Sequence, residues 1–103
     1  MGMNIVVEYD GPPPPWEAIR AELARNSLVA SIKMIDGLPA FPDEEPEAGW
    51  RELRLGFPAG MVTIRRGLDR DECVTWGNAD AALNEAWKAV AEACATAGGG
   101  RTG

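Results

Sequence analysis

Histidine is absent from the 103-residue chain. That removes the commonest general base near neutral pH and the imidazole metal ligand, so Ser/His/Asp triads, Cys/His dyads and His-based metal centres are excluded. Cysteine is scarce: Cys73 and Cys94 are the only two, without Cys-x-x-Cys spacing. Neither a disulfide framework nor a zinc site is expected, and both are read as reduced thiols. No apolar run approaches the ~20 residues that cross a bilayer. The opening MGMNIVVEYD has no basic leader, and Val6 stands where a myristoylation signal needs Ser or Thr, so a cytoplasmic protein without membrane contact is expected. Catalysis would have to rest on a carboxylate, Lys, Tyr, Cys or a borrowed cofactor. No catalytic residue, cofactor or metal ligand is assigned, and a non-enzyme is the expectation.

Basic charge is also short, with a net charge of −6. Residues 1–50 hold 9 acidic and 3 basic side chains, whereas residues 51–103 hold 7 of each; the excess acid lies wholly in the first half. Such a chain repels phosphate backbones, so nucleic acid is not an expected partner.

What is present reads as one α+β domain over residues 1–97. Met3 to Tyr9 alternates as a strand. In DGPPPPWEAIR the prolines cannot extend a ladder but suit a first helical turn, and Trp16, Ile19 and Leu23 recur at helical spacing, so the run is a strand-to-helix corner rather than a displayed polyproline ligand. Leu28 to Ile35 alternates again, completing a βαβ crossover if the first two strands lie parallel. Asp36-Gly37 marks a turn, and residues 37–49, with three prolines and four acids, read as a long acidic loop. Asp43, Glu44, Glu45 and Glu47 lack the spacing of a calcium loop.

Around FPAG, pairing Gly56 with Met61 aligns Leu55 with Val62 and Leu53 with Ile64 on one face, and Glu52 with Arg65 and Arg54 with Thr63 on the other; a one-residue slip destroys that segregation. Gly67 to Glu72 is read as a turn whose Asp69-Arg70-Asp71 cluster is solvated, and Cys73 to Trp76 as a strand with Val74 and Trp76 inward. Asn78 is placed as the cap of a last helix bearing Leu83, Trp87, Val90 and Cys94 on one stripe. Residues 98–103 read as a flexible glycine-rich tail. The order β-α-β-β-β-β-α gives a two-layer sandwich, a mostly antiparallel sheet with both helices on one face.

The other face then becomes the place to look for function. Parity puts Trp50, Glu52, Arg54, Thr63 and Arg65 there, with Val6, Val29 and Ile35 adding apolar area. Tryptophan and arginine are the residue types enriched at interface hot spots. The leading expectation is a non-catalytic interaction or regulatory module that docks a protein partner, or a second copy as a homodimer, through this face, a free edge strand or the acidic loop, using Trp50, Arg54, Arg65 and Phe41. An opposed expectation has the long loop fold back over Trp50 through Phe41 or Leu38, with Arg54 or Arg65 stacked on the indole. The alternative function is a small anionic-ligand or enzymatic domain in which Arg51, Arg54, Arg65 and Arg66 hold a carboxylate or phosphate.

Overall fold

The computed structural model describes residues 2–41, 43–76 and 80–102; the expected cap Asn78 and the side chain of Trp76 lie outside what it describes. The elements run β1 (Gly2–Glu8), α1 (Trp16–Arg25), β2 (Ser31–Ile35), β3 (Leu38–Pro39), β4 (Glu52–Phe57), β5 (Gly60–Arg66), β6 (Arg70–Trp76), α2 (Ala81–Gly98) and β7 (Arg101–Thr102). They form a two-layer α+β sandwich: one antiparallel sheet, ordered β3-β2-β4-β5-β6-β1-β7, with both helices on one face. One core joins sheet and helices, centred on Val7, Leu53, Leu55, Val62, Ile64, Ile19, Leu23 and Val90.

The proline run does make the corner. Pro15 is the N-cap of α1, and Trp16, Ile19 and Leu23 are the buried stripe of that helix. The crossover that follows is wider than a βαβ unit. β1 and β2 point the same way, but β4, β5 and β6 lie between them, so α1 carries the chain across the sheet.

The β4–β5 hairpin has the register set by its hydrophobic alternation: Leu53↔Ile64, Leu55↔Val62, Arg54↔Thr63, Glu52↔Arg65. Gly60 takes a positive φ of 148°, closing the two-residue turn at Pro58–Ala59.

Parity fails in β2 and β6. In β2 the pairing with β4 shifts between Ile32 and Met34, so Lys33 is a bulge residue and Ile35 pairs with Leu53 on the core side instead of joining the helix-free face. In β6, Cys73 and Thr75 are fully buried on the side that carries Leu53 and Ile64, and Val74, paired with Thr63, lies on the other. The turn is shorter than expected, because the strand already begins at Arg70.

The last helix is capped by Asp80, whose carboxylate accepts from Leu83 N–H at 2.9 Å, and is stopped by Gly99 in the left-handed conformation. The tail is a correction. Arg101 and Thr102 pair with Glu8 and Val7, because Gly98 and Gly100 let the chain pass against Tyr9, where an added Cβ would approach the ring within 2.5 and 2.7 Å. No helix among the described residues is long and apolar enough to cross a membrane.

Candidate functional site

The helix-free face does not hold Trp50. Its indole is 3 % exposed and belongs to the core, because the strand alternation starts only at Glu52. Before it, Asp36 Oδ1 accepts from the N–H groups of Arg51 and Glu52 at 2.7 and 2.9 Å, and Trp50 N–H donates to Glu47 O. This turn rolls the indole to the helix side. The arginine stacked on it is Arg66, 3.8 Å from the ring centroid, rather than Arg54 or Arg65. Trp50 therefore does not belong to the helix-free face; it stands at the edge of the core.

Under that ring lies the charged cluster least visible in the sequence. Arg66 Nε and one terminal nitrogen donate to Asp71 Oδ1 and Oδ2 at 2.8 and 2.9 Å, and Tyr9 Oη donates to Asp71 Oδ2 at 2.6 Å. Asp71 is fully buried, not part of a solvated turn. The network joins β1, β5 and β6 beneath Trp50. Every member has a partner and Asp71 is fully buried, so its role is structural.

Burial is the main cause that holds the Tyr9 phenol far above its ordinary range, reinforced by Cys94 and Asp71 nearby. A side-chain hydrogen bond with Cys73, followed by burial, raises the Cys94 thiol. Both groups keep their protons in the folded chain at a pH where the unfolded chain releases them. Stability is thus complete below the unfolded thiol range near ~8.5 and declines above it, steepening past ~10 where the unfolded phenol also ionises. Urea midpoints at stepped alkaline pH are expected to fall in this way, and Tyr9→Phe is expected to flatten the decline above the phenol range. An unchanged midpoint across that range would contradict the buried network.

The four arginines of the anion alternative do not all converge: Arg65 and Arg66 border one hollow of about 270 Å³ with Arg70, Val6 and Glu72, and Arg51 and Arg54 do not line it. Arg54 and Arg65 lie on the helix-free side, Arg66 lies on the opposite side in its bond to Asp71, and Arg51 is exposed at the strand end. Arg65 contacts Glu52 at 3.4 Å and is opposed by Glu72 across the next strand, an alternating ladder of charge. Thr63 and Val74 are 2 % and 4 % exposed on this face although no helix covers them.

Phe41 and Trp50 do come together elsewhere. The segment after β3 folds back along the sheet edge and roofs a cleft of about 540 Å³ lined by Ile35, Leu38, Phe41, Trp50 and the carboxylates of Asp36, Glu44, Glu45 and Glu47. Its start is fixed by the Asp36-Gly37 turn, with φ of 51° and 82°, a pair of positive values typical of a two-residue hairpin. Its middle is held by Glu44 Oε1, which accepts Phe41 N–H at 3.1 Å, and by Arg20 of α1, 2.8 Å from Glu45 Oε1. Leu38 and Phe41 remain 69 % and 74 % exposed. A second, shallower trough of about 630 Å³ runs between Val29, Phe57 and Met61 at the far end of β2, without a roof. No family model, curated protein or solved structure matches the chain.

Proposed function

We propose that the protein is a non-catalytic interaction module whose docking surface is the cleft beneath the segment 37–49, at the β3 edge of the sheet. The observation that carries this reading is the pair Leu38 and Phe41, two large apolar side chains held in solvent beside a formed cleft floored by Trp50. Holding such side chains in water is unfavourable by roughly 25 cal/mol per Å² of apolar surface, a cost that a partner covering them relieves. The chain also carries none of the histidine chemistry an enzyme of this size would use most readily. The outer edge of β1 is a second place for a strand to add. Tyr9 N–H bonds to Asp69 O just before β6, so by alternation the peptide groups of Asn4 and Val6 face outward. The hollow beside that edge, lined by Val6 with Arg65, Arg66, Arg70 and Glu72, is about 270 Å³ and holds no aromatic side chain, which favours the larger cleft with its exposed Leu38 and Phe41.

Peptides selected from a random displayed library against the whole chain test the reading. Leu38→Ser with Phe41→Ser removes only exposed side chains and is expected to abolish binding with the urea midpoint unchanged, while Arg54→Ala with Arg65→Ala leaves binding intact. The reverse pattern would place the docking surface on the helix-free face and end this proposal.

A further inference from the structure

Resting on the cleft as the docking surface, we infer that its occupant is a basic, extended protein segment, with an apolar side chain between Leu38 and Phe41 and flanking Lys or Arg side chains toward Glu44 and Glu47. Four acidic residues line the cleft, and among the described residues no basic one does. Three of the four already accept a bond through one oxygen: Asp36 from backbone N–H groups, Glu44 from Phe41 N–H and Glu45 from Arg20. Those bonds hold the carboxylates on one wall, where they keep further acceptor capacity. Glu47 accepts no side-chain bond from the described residues, and its carboxylate is exposed.

The spacing of the charges selects among cations. Among the described residues no group of three acidic or thiol side chains is placed to hold a metal ion, so the negative charge is spread along the cleft, which suits several separated cations on one chain. The exposed Leu38 and Phe41 demand an apolar counterpart as well, which a bare polyamine does not offer. A net charge of −6 adds a long-range field that draws a basic segment in and turns an acidic one away.

Three synthetic peptides with one shared apolar centre, flanked by lysines, by serines or by glutamates, are titrated by fluorescence anisotropy into the full-length chain. The titrations are run at roughly 20 mM and roughly 200 mM salt, spanning weak and strong screening. The lysine peptide is expected to bind about tenfold or more tighter than the serine peptide at low salt and to lose most of that advantage at high salt; the glutamate peptide binds weakest. Glu44→Gln with Glu47→Gln, both exposed, is expected to weaken the lysine peptide about three- to tenfold and to leave the serine peptide unchanged. Equal binding of lysine and serine peptides, both lost on Leu38→Ser with Phe41→Ser, would overturn the charge inference while the cleft survives as the docking surface. Displacement of the lysine peptide by spermine at matching affinity would likewise overturn it, making the occupant a small cation. Binding of no peptide, or binding indifferent to the Leu38/Phe41 changes, would remove both the inference and the docking surface.

Discussion

Asp71→Ala is expected to lower the unfolding free energy by about 3–5 kcal/mol, a large part of what a domain of this size possesses. The change strands Arg66, whose side chain is only 11 % exposed, without its carboxylate, and leaves the Tyr9 hydroxyl without its acceptor. The size of the loss measures the unpaired groups left behind rather than the strength of the pair. Replacing both charged partners, Asp71→Leu with Arg66→Met, is therefore expected to recover the part of the loss due to the stranded guanidinium, since a buried ion pair exchanged for packed apolar groups is often neutral, while the Tyr9 hydroxyl stays without its acceptor. Urea unfolding of the single and double variants checks this. A double variant no more stable than Asp71→Ala would mean that the packing around the network cannot accept the apolar pair.

Trp50→Ala is expected to cost about 3–5 kcal/mol as well, the range for deleting a buried aromatic side chain. Part of the loss is the cation–π contact with Arg66, about 0.5–2 kcal/mol. Because Trp50 and Asp71 share Arg66, the two losses are expected not to add; a double-mutant cycle reads the coupling directly. An indole on an open interface would behave otherwise, weakening association and sparing stability. A Trp50→Ala variant with a wild-type urea midpoint would contradict the burial described above.

Why Trp50 was legible as important but not as a residue of the helix side is a matter of where alternation stops. Period-two reading placed the β4–β5 register residue by residue, because Leu53, Leu55, Val62 and Ile64 on one face and charged or polar residues on the other leave a single acceptable pairing. The same rule carried two positions too far at Trp50, where the Asp36 carboxylate ties down two backbone N–H groups and turns the chain. It failed at Lys33, since a bulge adds one residue without a hydrophobic signature. It also failed at Asp71, whose inward direction depends on Arg66 and Tyr9, five and 62 positions away. Local pattern ranks an aspartate as a surface residue; only the assembled sheet supplies its partners.

The helices were clearer. Trp16, Ile19 and Leu23, and Leu83, Val90 and Cys94, stand at helical spacing, and their burial follows from that spacing alone. The short terminal strand was hidden because glycine has no strand propensity; its pairing comes from the absence of Cβ atoms at Gly98 and Gly100 beside Tyr9. The cleft was half visible. Phe41 and the acids of residues 43–47 stood out by composition, but the fold-back that puts Phe41 and Trp50 on one wall depends on the Asp36-Gly37 turn and the Arg20–Glu45 pair, 25 positions apart.

Partner contact is proposed for the cleft at the β3 edge and not for the helix-free face. Residue-resolved chemical-shift mapping with the lysine-flanked peptide tests it most directly. The account expects the largest shifts at Leu38, Phe41, Glu47 and the Trp50 indole N–H, with Val6, Arg54 and Arg65 still. Shifts concentrated at Val6, Arg54 and Arg65, with Leu38 and Phe41 unmoved, would contradict it.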